Sequence, residues 1–136
     1  MTGSTTAVTN GSVATLRLRL APADARYAGN LDAGSKAMEI FADLETELAL
    51  LEGGDEGLCA GYDSVEFLAP LRVGDYIEAS ARVTARGRTS RAITAEIYKV
   101  RSVDDDGVLL HQDGPILAAR AAVTIVVGRT LAARTA

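Results

Sequence analysis

The spacing of hydrophobic residues changes period twice along this chain. Between residues 13 and 20, Ala14, Leu16, Leu18 and Leu20 alternate with Val13, Thr15, Arg17 and Arg19. That period of two predicts a strand with its even positions facing inward. From 32 to 52 the period lengthens: Ala37, Phe41, Leu44, Leu48 and Leu51 recur at steps of three and four, the spacing of one helix face. Asp32 is the expected N-cap and Gly53 with Gly54 the expected stop. At 1.5 Å per residue such a helix runs roughly 30 Å, about the width of a small domain, so one of its faces must be buried by the rest of the chain.

Beyond Gly54 the period returns to two. Residues 58–69 predict a second strand, with Val65, Phe67 and Ala69 on one face and Pro70 as its end. In the third, Ile77, Ala79, Ala81, Val83 and Ala85 alternate with Glu78, Ser80, Arg82, Thr84 and Arg86, which is a strand apolar on one side and wet on the other. A fourth spans 90–103 with Ile93, Ala95 and Ile97 inward; a fifth, 116–127, is apolar on nearly both faces and is expected at the centre of a sheet or in an interface. The connections are short turns, and parallel strands would need helical crossovers. The expected architecture is therefore α+β, one long central helix wrapped by a curved antiparallel β-sheet of about five strands. A single domain over 13–128 accounts for this pattern, with small polar tails at 1–12, expected to be disordered, and 129–136.

Composition narrows the function. At 136 residues with 48% hydrophobic and 24% charged residues, the chain is an ordinary globular domain whose core, with no Trp, must be built from Ala, Val, Leu and Ile. A net charge of -4 argues against a nucleic-acid partner. No apolar run approaches the roughly 20 residues of a membrane span, and no secretory signal is visible at the N-terminus. One cysteine, Cys59, excludes an internal disulfide and makes a reduced, cytoplasmic setting the expected one.

Three carboxylates, Glu39, Asp43 and Glu47, stand four residues apart on the predicted helix and form a row beside the apolar stripe. The ordinary explanation is a solvated face with Lys36 as partial counter-ion. The functional one is that Asp43 and Glu47 border a cleft, one as a general base and the other holding or relaying a proton.

At this point a family comes into view. Residues 27–31 (Tyr-Ala-Gly-Asn-Leu), Phe41-Ala42-Asp43 with Thr46-Glu47, 54–58, 62–70 (Tyr-Asp-Ser-Val-Glu-Phe-Leu-Ala-Pro), 74–79 and Ser90-Arg91 occur in an order and spacing that resembles the hotdog-fold 3-aminobutyryl-CoA and β-alanyl-CoA ammonia-lyases. Asn30, Gly34, Asp43 and the turn 87–90 also resemble the signatures of the related hotdog acyl-CoA thioesterases. Two histidines of the family pattern are replaced here, by Arg26 and Ala23. The likeness implies reversible elimination of ammonia from a β-aminoacyl-CoA thioester to give an enoyl-CoA. Coenzyme A would enter as part of the substrate, with no metal or other cofactor. Such chemistry needs hydrogen-bond donors at the thioester carbonyl, which the helix N-terminus at Gly34 would supply; Asn30 is either an amide donor there or a turn residue. Asp43 and Glu47 would take the α-proton and hold the β-ammonium, in either assignment. Tyr27 and Asp63 are substrate-side candidates, and Arg88, Ser90 and Arg91, with Arg86, suit CoA phosphates or are an ordinary charged turn.

Two other functions stay open. A thioesterase would use the same donors and a carboxylate to direct water at the carbonyl, and a non-catalytic domain would only bind acyl-CoA. His111 lies outside every matched stretch and is expected as a surface residue, which disfavours histidine-dependent hydratase chemistry. Cys59 is expected as a small core residue. An exposed sheet edge and the doubly apolar fifth strand predict a homodimer or a dimer-based higher oligomer with sites at the interface.

Overall fold

The computed structural model describes residues 12–27, 31–32 and 34–128. The expected tails lie outside the described residues except for Ser12, and so does Asn30. The elements run β1 (Val13–Arg19), a 3-10 turn (Pro22–Asp24), β2 (Ala25–Tyr27), β3 (Leu31–Asp32), α1 (Gly34–Gly53), β4 (Leu58–Phe67), β5 (Tyr76–Arg86), β6 (Ser90–Arg101) and β7 (Ile116–Val126). Five strands form one antiparallel sheet in the order β1-β5-β6-β7-β4, while β2 and β3 make a separate short pair. This is the hotdog arrangement of one helix against a five-stranded antiparallel sheet.

The helix lies on one face of the sheet because two periodic stripes meet there. Ala37, Ile40, Phe41, Leu44, Leu48 and Ala49 of α1 are buried against Ile77, Ala79 and Ala81 of β5, Ile93, Ala95 and Ile97 of β6, and Ala121, Val123 and Ile125 of β7. Alanines on the strands leave room for the helix to approach closely, and Phe41 fills the space they create with no exposed surface. Burying such a ring is worth about 3 kcal/mol at most by area, the largest single apolar contribution the chain can make in the absence of Trp.

Strand β7 is central, between β6 and β4, as its two apolar faces require. Strand β4 is different. It is the strand that follows the helix in sequence, yet it sits at the far edge of the sheet beside β7, and only Tyr62 and Val65 are even half-buried. Leu58, Phe67 and the following Leu68 are exposed. The opposite edge, β1, carries Arg17 and Arg19, charges of the kind that discourage further pairing.

Two expectations at the helix need correction. Leu51 is 60% exposed, because the last turn packs through Glu52 and Gly53 instead; a Cβ on Gly53 would stand 2.8 Å from that of Val127. Asp32 is paired with Ala25 across β2 and β3, so the helix itself begins at Gly34. The helix stops at Gly53–Gly54 as its glycines predict: Gly54, at φ 82, is left-handed and donates its N–H to the Leu50 carbonyl at 3.0 Å. Three residues on, Gly57 has φ 59, and a Cβ there would lie 2.6 Å from the Val126 carbonyl oxygen. Only glycine lets the chain turn this tightly out of α1 and lay β4 alongside it.

Candidate active site

Strand β4 runs back along α1, and the seam between them is the candidate site. At one end, Gly34 opens the helix beneath the Phe67 ring; a Cβ on Gly34 would lie 3.4 Å from the ring tip. The first N–H groups of a helix have no intrahelical acceptor, so this end of the seam offers donors to an anionic or polarised oxygen. Toward the other end a cleft of about 290 Å³ is lined by Ala42, Glu45, Thr46, Glu56, Gly57, Leu58, Cys59 and Ile125.

Glu45 is the unexpected member. It lies on the inner side of α1 with only 4% of its surface exposed, among residues that are otherwise apolar. The Tyr62 hydroxyl donates to its Oε2, and the Cys59 thiol is a second hydrogen-bond partner, both from β4. Burial pushes the Glu45 carboxyl above the ordinary carboxylate range, while the hydrogen bonds from Tyr62 and Cys59 pull the other way. The Tyr62 hydroxyl is raised in turn, by burial first and then by the carboxylate it touches. Cys59 is likewise raised by burial and by Glu45. Cys59 is therefore not the core residue expected: it is exposed, on an edge strand beside the cleft. Its position follows from β4 leaving the core.

The row identified from spacing faces elsewhere. Glu39, Asp43 and Glu47 are exposed and line none of the clefts described, and at about 100° per residue Asp43 and Glu47 point some 160° away from Glu45. The signal that could have found Glu45 was present: it is the helix glutamate that falls in phase with Phe41 and Leu48 instead of with the row. Asp63 is exposed on β4. Tyr27 belongs to β2, but its side chain is not among those described, and Asn30 lies outside the described residues.

The basic turn is split by the fold. Arg88 is exposed at the tip between β5 and β6, and Ser90 begins β6. Arg91 instead reaches back to the end of the helix, where its Nε lies 2.6 Å from Glu52, while Arg86 grips the same carboxylate through Nε at 2.8 Å and an η nitrogen at 2.7 Å. Ser12 donates to it as well. This carboxylate pins the last helical turn to the β5–β6 hairpin, and sequence offered no sign of it, because partners 34 and 39 residues apart meet only in the folded chain.

Held first by Arg86 and against the cost of burial, the Glu52 carboxyl is lowered to about 2. Its stabilising contribution is complete above about pH 4.5, where the unfolded side chain is also ionised, and is withdrawn as pH falls toward 2. Glu52→Gln is expected to cost about 1–2 kcal/mol at pH 7, allowing for solvent around the arginines. Urea unfolding at pH 7 and pH 3 checks this: the gap between wild type and variant should narrow at the lower pH.

His111 is exposed and paired with Asp113 at 2.8 Å, as expected of a surface residue. Among the described residues no three His, Cys, Asp or Glu side chains converge on a point that could hold a metal ion. No helix among them is long and apolar enough to cross a membrane.

With this geometry established, likeness to known proteins becomes informative. Residues 41–104 match the profile of the thioesterase superfamily. The 3-aminobutyryl-CoA ammonia lyase of Acetoanaerobium sticklandii is 41% identical over 115 residues, covering 82% of this chain and 91% of that one. The structure superimposes on the β-alanyl-CoA:ammonia lyase of Clostridium propionicum with a TM-score of 0.83 at 29% identity, over 88% of this chain and 87% of that one. A hexameric hotdog fold thioesterase of Campylobacter jejuni is more distant, with a TM-score of 0.69 at 25% identity over 82% and 79% of the two chains.

Proposed function

We propose that this chain, which belongs to the hotdog-fold 3-aminobutyryl-CoA ammonia-lyase family within the thioesterase superfamily, is a carbon–nitrogen lyase that reversibly eliminates ammonia from a β-aminoacyl-CoA thioester. The observation that carries the choice of lyase over hydrolase is the 41% identity to a 3-aminobutyryl-CoA ammonia lyase across nearly the whole domain, against 25% to the hexameric thioesterase.

The chemistry fits the seam. Removing the α-proton of a thioester places negative charge on the carbonyl oxygen, and fixed donors aimed at that oxygen lower the barrier. The helix N-terminus at Gly34 is the proposed donor, with Asn30 and Tyr27 as its proposed neighbours on the substrate side and Asp63 further along β4. A carboxylate of α1 takes the proton, and loss of the β-ammonium as ammonia completes the enoyl product. Asp43 and Glu47 are the proposed groups that bind the β-ammonium and hold or relay a proton, where a second chain covers them, since the single chain leaves both exposed. Arg88 and Ser90 are the proposed contacts for the CoA phosphates. Arg91 contributes there by holding the turn, because its guanidinium is committed to Glu52.

Reach argues for an oligomer. Gly34 and the helix carboxylates are nine to thirteen residues apart, which is about 13–20 Å along the axis. A thioester carbonyl and its α-carbon are directly bonded, so donor and base must converge within a few ångströms. One chain cannot supply both. A second copy docked by a two-fold axis across the exposed edge of β4 would lay its helix antiparallel to the first and bring its N-terminus to the neighbour's carboxylates. The proposed assembly is therefore a homodimer or a multiple of it.

Incubation with crotonyl-CoA and ammonia tests the reaction. Growth of the aminobutyryl-CoA mass without free thiol is the expected outcome. Thiol release without the adduct would establish the thioesterase alternative instead.

A further inference from the structure

Asp43 and Glu47 carry the charge expected of a catalytic pair, but two other carboxylates of α1 are withdrawn from water by this chain itself: Glu52, which Arg86 and Arg91 neutralise, and Glu45, whose hydrogen-bond partners Tyr62 and Cys59 carry no positive charge. We infer that Glu45, held by Tyr62 and Cys59 at the wall of the α1–β4 cleft, is the base that takes the α-proton of the thioester. The inference rests on the lyase reading for its substrate, but on geometry for its residue. The cleft of about 290 Å³ has room for a short acyl group and little more, and apart from Glu45, Thr46, Glu56 and Cys59 its lining is small or apolar. A carboxylate buried against such a wall without a task would be a liability, since a leucine there would pack with no polar group to desolvate.

The surroundings also suit the step. Hydrogen bonds from Tyr62 and Cys59 favour the ionised form, while burial, the larger effect, raises its proton affinity in the direction a base needs. Among the described residues that line the cleft, the other titratable group is Glu56, from the loop that precedes β4. In the step itself the Cα–H bond breaks and its proton passes to a Glu45 oxygen. The electron pair moves onto the carbonyl oxygen, then returns to form the Cα=Cβ bond as the Cβ–N bond breaks. Ammonia leaves with that bonding pair, and Glu45 returns its proton to solvent. Tyr62 and Cys59 touch the base and not the reacting atoms, so they are positioning residues.

Two readouts separate this inference from the lyase reading. The first is ammonia addition to crotonyl-CoA; the second is exchange of the α-hydrogens of butyryl-CoA for deuterium in D2O, which needs the base but has no ammonia step. Glu45→Gln keeps the size of the side chain and an acceptor for Tyr62, and is expected to lose at least about 100-fold in both rates with KM for the thioester little changed. Glu45→Asp is expected to recover part of the exchange rate. Tyr62→Phe removes a donor that favours the ionised carboxylate, so the acidic limb of the kcat profile should move to higher pH; a purely structural tyrosine would lower the melting temperature and leave that limb in place. Glu45-dependent exchange in a protein that adds no ammonia would sustain the base and overturn the lyase. A folded Glu45→Gln protein within about threefold of wild type in both assays would overturn the base, as would the absence of exchange in the unaltered protein.

Discussion

Gly34→Val is expected to lower kcat/KM for the enoyl-CoA by about 100- to 1,000-fold while leaving the fold standing, the range seen when one donor to a developing oxyanion is lost. The reason is local. Gly34 is the first residue of α1, the end at which a helix has N–H groups without intrahelical acceptors, and the Phe67 ring closes over it at ordinary contact distance from an added Cβ. Alanine therefore fits, and Gly34→Ala serves as a control that should keep its melting temperature. Valine adds two further carbons that have no room beside the ring, so either Phe67 moves or the approach to the helix N-terminus is filled. Circular dichroism and thermal unfolding should show a native protein in both cases. Full activity in a folded Gly34→Val protein would remove the helix N-terminus from the mechanism.

Much of this architecture could be read from spacing alone, for physical reasons that differ by element. The helix was legible because Ala37, Phe41, Leu44 and Leu48 obey a 3.6 period over about three turns. Strands β5 and β6 were legible because one face of each is wet, and β7 because a strand apolar on both faces has to be interior. The sheet order was not legible. Nothing in residues 58–67 says that they join β7 on the far edge, since pairing is decided by which inner faces the helix covers and not by adjacency in sequence. The short β2–β3 pair is too brief to carry a period at all.

The site shows the same division. The acidic row Glu39, Asp43, Glu47 is conspicuous in sequence because it is regular, and the single chain leaves all three exposed. Glu45 breaks the apolar stripe, and a charged residue inside a buried pattern is the rarer observation. In the basic turn, Arg88 kept the exposure a phosphate contact needs, whereas Arg91 was claimed by Glu52, a partner 39 residues away. Residue type and spacing thus pointed to a turn and a helix, and only the folded chain could assign their faces.

The central claim is that no single chain builds the site: the donors at the front of one helix work with a carboxylate from the middle of another. Co-expression tests it most directly. One chain carries Gly34→Val; the other carries Asp43→Asn, Glu45→Gln and Glu47→Gln together, so that the outcome does not depend on which carboxylate is the base. Each variant alone should be inactive. In a shared dimer, one of the two composite sites receives both defects and the other receives neither. At equal expression half the dimers are mixed and half of their sites are intact, so about a quarter of wild-type activity should return. Activity no greater than the sum of the two inactive parents, in demonstrably mixed dimers, would contradict the account.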